Sequence, residues 1–353
     1  MMTPEVAIET ILSWDDVHEE KVEDLCKQNN ISILSISEAA VFFDYDEIIE
    51  VTERMLTDAQ KAVLGLVKQR KVAGVVSIEE VNSALSICQN KDTRDLILEG
   101  RVRMERGLVY YTLGEKEKAD EDLTWAETRL KSVAKASKDH DLSLLNKAAF
   151  HQAVGEDLMA LQVYGDISVK SGHANETIAI SRLHASRINA RIGHKFDAVR
   201  LAFNSHRHAI MANMSELALE SGTAFVDLSL PYSDESADRI VEQIERAKPR
   251  DIGDEVLDPK INPIDIEGVF NWCYANLKDG YAGESRADLQ AVFTLAHKMG
   301  KQELFSEMLS KPEEIEDGLL IALIKSTVDD DDGVWAKRIA EITAQSFEFL
   351  NNS

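Results

Sequence analysis

Basic side chains and histidines are concentrated between residues 179 and 213. The bases and histidines of this segment are Arg182, His184, Arg187, Arg191, His194, Lys195, Arg200, His206, Arg207 and His208, against one acid, Asp197. Because Arg187 and Arg191 are four residues apart, a helix would place both guanidinium groups on one side. Arginine forms paired hydrogen bonds to a carboxylate, so the pattern predicts a surface for an acidic peptide. The alternative is that these arginines form surface ion pairs within the same chain.

Other arrangements of reactive residues fail on geometry. Helical side chains two positions apart, as in His206-x-His208, point about 200° apart and make a poor metal pair. The four aspartates at 329–332 precede a glycine, but a calcium loop set by that glycine would need acids at Val328 and Ile339. We find no nucleophile elbow, phosphate-binding glycine loop, zinc-protease helix or dinucleotide fingerprint. The sequence therefore predicts a non-enzymatic protein with no metal site and no cofactor.

Three helix-turn-helix units can be superimposed between residues 101 and 214. In the first unit, residues Gly107, Tyr110, Gly114, Ala119, Leu123 and Ala126 alternate small and large side chains. The matching residues are Ala148, Gly155, Ala160 and Tyr164 in the second unit, and Ser186, Gly193, Ala198 and Ala202 in the third. Small residues at these positions let two antiparallel helices approach closely.

This pattern resembles the tetratricopeptide repeat family over about a third of the chain. The resemblance implies an all-α fold, an α-α superhelix in which antiparallel helix pairs stack into a solenoid. The turn glycines are 41 and then 38 residues apart, whereas the family period is about 34. We therefore expect longer second helices or longer connections than in the family.

In tetratricopeptide arrays the first helix of each pair lines a concave groove. Carried over to this chain, the resemblance places Asn146, Gln152, His184, Arg187 and Arg191 in that groove. The corresponding residues of the first unit are Met104, Glu105, Leu108 and Tyr111. The resemblance implies a scaffold that binds a peptide or a helical protein there. The alternative is a ligand- or peptide-responsive regulator whose N-terminal helices are the output module.

The carboxylate clamp of the family is absent from this chain. Asn146 matches the asparagine of the second unit, but Met104, Leu108, Ile180 and His184 stand where the clamp needs lysine, asparagine or arginine. A chaperone-tail ligand is therefore not expected, although an acidic partner remains compatible with the arginines.

The net charge of −24 is unevenly distributed. Residues 1–56 carry 14 acids against 3 bases, and residues 250–353 carry 21 acids against 10 bases, so the middle is nearly neutral. Negative flanks repel phosphate backbones, which argues against nucleic-acid binding. Solubility alone would also explain them, and a third interpretation is that an acidic flank occupies the groove until a partner displaces it.

The domain organisation follows from composition. We predict an acidic N-terminal helical region over 1–100 that is a cap or decayed repeats, repeats over 101–247, a linker at 248–264 and an acidic helical region over 265–353. The linker contains three of the six prolines. Residues 35–56 resemble a helix-turn-helix DNA-binding unit, but its second helix carries four acids against one arginine and would be repelled by DNA.

Local signals predict individual helices. Thr3-Pro4, Thr57 and Ser77 are helix starts, the last resembling a capping box displaced by about one residue, and Gly74 is a helix end. Residues 223–232 have an alternation compatible with a short extended segment. Helices are expected near 233–247, 265–279, 285–299, 301–310, 312–327 and 334–350.

Composition indicates the compartment. The three cysteines are widely spaced and odd in number, which favours a reducing compartment. Residues 1–14 lack the basic head and the apolar core expected of a signal peptide, and there is no run of 18 apolar residues. A cytoplasmic protein without a membrane span is expected, with its oligomeric state left open.

Overall fold

The computed structural model describes residues 2–232, 266–278 and 286–305. Within these ranges the regular elements are helices and no strand is present, which confirms the all-α prediction. In the same ranges, no helix combines the length and the apolar character needed to cross a bilayer. The chain separates into two compact units, unit 1 (Met1–Asp166) and unit 2 (Ile167–Ser353).

Unit 1 is a succession of helices joined by short loops. They are α1 (Pro4–Leu12), α2 (Glu19–Asn29), α3 (Ile33–Phe42), α4 (Asp46–Met55), α5 (Asp58–Ala73), α6 (Ile78–Cys88), α7 (Leu96–Thr112), α8 (Lys116–Val133), α9 (Lys138–Ala153) and α10 (Asp157–Asp166).

Unit 2, in its described part, begins with three long helices. They are α11 (Asn175–Arg191), α12 (Lys195–Met211) and α13 (Ser215–Ser229), followed by a 3-10 turn at Leu230–Tyr232. Two further helices, α14 (Ile266–Lys278) and α15 (Arg286–Lys298), precede a 3-10 turn at Gln302–Phe305.

Capping side chains set several helix boundaries as predicted. The hydroxyl groups of Thr57 and Ser77 accept hydrogen bonds from the backbone N–H groups of Gln60 and Glu80, whose side chains in turn accept from the capping N–H groups. The box at Ser77 is in register, so the displacement expected from sequence is wrong. Helix α5 ends at Gly74, whose φ of +73° is a conformation that costs glycine little.

The predicted turn glycines join consecutive helices. Gly114 and Gly155 have φ of +79° and +87° and connect α7 to α8 and α9 to α10. Gly193 has φ of +86° and connects α11 to α12. A residue with a Cβ would be strained in this left-handed conformation, so glycine is what these turns require.

Helices α7 and α8 are antiparallel and very close. Gly107 lies opposite Leu123, and Gly100 lies opposite Leu130 farther along the pair. A Cβ at position 107 would be 2.9 Å from Cγ of Leu123 and 3.2 Å from the carbonyl oxygen of Ala119. Missing side chains on α7 therefore make room for leucines of α8, as the small-residue spacing predicts.

Alternate helices of unit 1 also contact one another. Helix α3 contacts α1 and α5, and α7 contacts α5 and α9. Apolar clusters extend through this arrangement, with Ile8 and Ile48 inside α1–α4, Leu64 and Leu85 inside α3–α7, and Leu123 between α7 and α9. The odd-numbered helices thus form one row and share their packing with the intervening helices.

Helices α11 and α12 of unit 2 are held together by hydroxyl groups. The Ser186 Oγ donates to the carbonyl oxygen of Ala198 at 2.7 Å, and the Ser205 Oγ donates to that of Ala179 at 2.8 Å. These pairs show that the two helices are antiparallel. A hydroxyl that reaches the backbone of the opposite helix is satisfied while buried, and its small size permits the close approach.

After α12, the core of unit 2 is built around large aromatic side chains. Helices α13, α14 and α15 contribute buried Phe225, Phe270 and Phe293 to one apolar cluster. Residues 223–232 are helical through Ser229 rather than extended, because Phe225 and its neighbour Val226 are buried in this cluster from a helix.

Two more predicted helices are confirmed, those near 265–279 and 285–299, which correspond to α14 and α15. The predicted helices at 233–247, 312–327 and 334–350, most of that at 301–310, the linker at 248–264 and the aspartates at 329–332 lie outside the described residues.

Candidate functional site

The five residues predicted to line a groove are distributed over both units. Asn146 and Gln152 lie on α9 of unit 1, whereas His184, Arg187 and Arg191 lie on α11 of unit 2. The structure therefore brings these residues together in two sets, one on each helix.

On α9, most of the residues outside the core occupy one side of the helix. From Leu142 onward, the exposed or half-buried residues of that side are Leu142, Leu145, Asn146, Ala149, Gln152 and Ala153; Lys138 and Asp139 continue it in the first turn, and half-buried Lys147 lies on another side. At 100° per residue the six positions from Leu142 onward span about 120°, with Leu142 and Ala149 in the middle and the two amides at opposite edges. We refer to these six residues as the α9 face. It combines apolar contact area with amide groups that both donate and accept hydrogen bonds.

Two contacts tie α9 to α7, one through Asn146 of the α9 face and one through the buried Phe150. The amide Nδ2 of Asn146 lies 3.9 Å from the Sδ of buried Met104, so Met104 is covered rather than groove-lining as the resemblance implied. Tyr111, at the C-terminal end of α7, is exposed, and its ring meets that of Phe150 edge-on with 5.9 Å between centroids. An exposed tyrosine thus lies at the contact between these two helices.

Ion pairs cross the row of odd-numbered helices. Arg101 of α7 pairs with Glu38 of α3, and its Nε lies 3.4 Å from the Oδ1 of Asp139 on α9. Arg70 of α5 pairs with Glu105 of α7. Burial raises the pKa of Asp139, while the positive charge of Arg101 opposes this effect. The row is therefore linked by charge as well as by apolar packing.

On α11, the three predicted residues share one side of the helix, since they are three and then four residues apart. Arg187 and Arg191 are exposed, and His184 is half-buried. Burial lowers the pKa of His184, and the charge of Arg187 lowers it further, so the ring is neutral near pH 7. Arg187 pairs with Glu220 of α13, and both side chains are about half exposed.

The pair of Arg187 and Glu220 is the kind of intrachain contact that the sequence left open as an alternative. An ion pair exposed to this degree contributes little stability, because water screens it. Another carboxylate could therefore compete with Glu220 for this guanidinium group at small cost, through the paired hydrogen bonds that arginine forms.

The two histidines of the His206-x-His208 pair are both buried and have different partners. The Nδ1 of His206 donates to the carbonyl oxygen of Ala218 at 2.7 Å, and the Nδ1 of His208 is 2.9 Å from the Oδ1 of Asn175. Burial lowers the pKa of His206, with a smaller opposing contribution from Ala218. Each ring therefore fastens α12 to a different element.

Sequence reasoning missed a buried charged network around α7. Glu99 is fully buried and accepts hydrogen bonds from Gln89 at 2.9 Å, from Nε of Arg94 at 2.9 Å and from Nε of Arg103 at 3.3 Å. Burial alone would raise the pKa of Glu99, but these hydrogen bonds lower it below its ordinary value. The carboxylate is therefore ionised; two arginines compensate its charge and the neutral amide of Gln89 adds a third hydrogen bond.

The network continues to α8 through Asp122. Its carboxylate accepts a paired interaction from Arg106 at 2.6 and 2.8 Å and a hydrogen bond from Arg103 at 2.9 Å. The Arg103 guanidinium lies 4.2 Å from the ring centroid of Trp125. The arginines around Glu99 and Asp122 are engaged with these two carboxylates, and Arg103 and Arg106 of α7 both reach Asp122 of α8. The geometry therefore indicates that this cluster fixes α7 against α8. The four-residue spacing of Glu99 and Arg103 was the signal that could have identified part of it.

No protein-family model matches this chain, and a search of curated proteins found no match. The resemblance to tetratricopeptide repeats therefore depends on the residue spacing.

Proposed function

We propose that this protein is a non-enzymatic interaction scaffold, built from tetratricopeptide-like helix pairs, that binds a segment of another protein. The proposed architecture is an α-solenoid. It is supported by the left-handed glycines at the helix turns, by the close packing of α7 on α8 and by the row of odd-numbered helices in unit 1.

The observation that carries the proposal is the α9 face. A side of a helix about 120° wide has no core residues and presents leucines, amides and alanines beside the exposed Tyr111. Apolar area supplies affinity for a peptide, and the amides at the two edges fix its register through hydrogen bonds. Tyrosine contributes a large contact area at low conformational cost.

Unit 2 supplies a second surface with a different preference. Arg187 and Arg191 on one side of α11 are suited to a partner that carries acidic residues. In this proposal a partner carboxylate replaces Glu220 at Arg187. The half-buried, neutral His184 adds no charge to this surface, so selectivity for acids depends on the two arginines.

The test is affinity capture from the native cell extract with variants of the full chain. Leu142→Glu/Ala149→Glu places two charges in the middle of the α9 face and should remove the partner. Leu158→Glu is the matched control, because Leu158 on α10 is 73% exposed and lies outside that face. A photo-crosslinking residue at position 149 should join the same partner covalently.

The arginine surface is tested separately. Arg187→Glu/Arg191→Glu should lose an acidic partner and retain partners that depend on the α9 face. If wild type, the α9 variant and the arginine variant all capture the same set of proteins in the same amounts, neither surface is the binding site and the proposal fails.

A further inference from the structure

Four large apolar side chains are exposed where α3 and α5 end. Phe42 is 72% exposed, Phe43 46%, Val72 88% and Val75 72%. We refer to these residues as the α3/α5 patch. Single exposed apolar residues are ordinary on protein surfaces, whereas several of them at two linked helix ends mark a candidate interaction site.

Lys71 holds the two helix ends side by side. Its Nζ donates to the carbonyl oxygens of Val41 at 2.5 Å and Phe42 at 2.9 Å, and it pairs with Asp44 at 2.5 Å. The last turn of α5 is therefore fastened to the last turn of α3, which brings the segments that carry Val72 and Phe42 close together. The rings of Phe42 and Phe43 meet edge-on with 5.1 Å between centroids.

The surroundings of the patch have a surplus of negative charge. The bases in the last turns of α5 already have acidic partners within the chain, in the pairs Lys68–Glu53, Arg70–Glu105 and Lys71–Asp44. Further acids flank the patch on both sides in sequence and are exposed: Asp46 and Glu47 after Phe43, and Glu79 and Glu80 after Val75.

We infer that the α3/α5 patch binds a basic amphipathic helix of a partner protein. The apolar side of that helix covers Phe42 and Val72, and its lysines or arginines meet Asp46, Glu47 and Glu79. A helix with apolar residues three and four positions apart presents a narrow apolar stripe, which suits a patch of four side chains.

Charge and area distinguish this occupant from a second copy of the chain. A second copy brings the same acidic surroundings and a net charge of −24, so its patch is repelled. The exposed apolar area of four such side chains is on the order of 500 Å², less than the roughly 800 Å² that each partner buries in a stable interface of standard size. Nucleic acid and anionic lipid surfaces are repelled by the same acids.

The probe is a fluorescein-labelled helical peptide of 18 residues made of leucine and lysine with an apolar stripe. Its control is the same peptide with glutamate in place of lysine. Fluorescence anisotropy with the full chain should show saturable binding of the lysine peptide and none of the glutamate peptide. Phe42→Ser/Val72→Ser should weaken the Kd at least tenfold, because these side chains would be buried on binding.

Matched variants separate the patch from general charge attraction. Leu158→Ser replaces an equally exposed apolar residue on α10 and should leave the Kd unchanged. Asp46→Asn/Glu47→Gln should weaken binding severalfold at 50 mM salt and much less at 300 mM, because salt screens exposed charges. Circular dichroism should give the same spectrum for all variants, since every substituted residue is exposed.

Three results would each overturn the inference. One is equal affinity of the wild type and Phe42→Ser/Val72→Ser for the lysine peptide, and another is equal binding of the two peptides. The third is a wild-type dimer in sedimentation that Phe42→Ser/Val72→Ser converts to monomer, which assigns the patch to a second copy. The inference is independent of the α9 face, so Leu142→Glu/Ala149→Glu should bind the lysine peptide like the wild type whether or not the proposed scaffold function holds.

Discussion

Replacing Glu99 by glutamine should destabilise unit 1 more than the same substitution at an exposed glutamate. The substitution keeps the size of the side chain but removes the charge that compensates Arg94 and Arg103. Breaking a buried ion pair costs about 3–5 kcal/mol. Because the side chain of Arg94 is about half exposed and regains water, we expect a loss at the lower end, about 3 kcal/mol.

Urea unfolding followed by circular dichroism at pH 7 measures this loss as a shift in midpoint at constant slope. The control is Glu53→Gln, which removes an exposed partner of Lys68 and should cost less than about 1 kcal/mol. A Glu99→Gln variant no less stable than Glu53→Gln would refute the assignment of Glu99 as a compensated buried charge.

The pH dependence provides a second measurement. The pKa of Glu99 is lowered in the folded state, so its ionised form stabilises the fold above the unfolded pKa of about 4.3. That contribution is lost as the pH falls through the lower folded pKa. The difference in unfolding free energy between wild type and Glu99→Gln should therefore be constant from pH 7 to 5 and should shrink below pH 4.

Two further predictions concern packing and protonation. Gly107→Ala should reduce the unfolding free energy by about 1 kcal/mol, because overpacking against Leu123 outweighs the gain in helix propensity. Gly65→Ala should raise it by about 0.5–1 kcal/mol, because an added Cβ would meet no atom within 4 Å. Equal effects of the two substitutions in urea unfolding would contradict the close approach of α7 to α8. Because burial lowers the pKa of His206, the unfolded chain takes up its proton first, and unit 2 should lose up to about 1.4 kcal/mol from this residue between pH 7.5 and 5.5. In thermal unfolding, His206→Gln should show a correspondingly weaker pH dependence, and an unchanged slope would contradict it.

Local features of the fold were predictable from sequence because their causes lie within a few residues. The capping hydroxyl groups of Thr57 and Ser77 and the turn glycine Gly114 act within a single turn of chain. The wide repeat spacing has two structural causes that the sequence left open. Helix α8 is 18 residues long, and a long connection over residues 167–174 precedes α11.

Features that depend on tertiary contacts were not predictable. Glu99 and Asp122 are buried only because arginines from other turns and a neighbouring helix surround them. The partner of Arg187, Glu220, is 33 residues away along the chain. Residues 223–232 have the alternation of a strand, but burial of Phe225 in the core of unit 2 favours the helix.

The position of Lys71 has a consequence for recognition at the α3/α5 patch. Its three contacts leave the ends of α3 and α5 with one arrangement already in the unbound protein. Because the ends of α3 and α5 are already ordered, binding of a ligand there costs little conformational entropy. We therefore expect the association rate to be set by charge and diffusion rather than by a slow rearrangement of the patch.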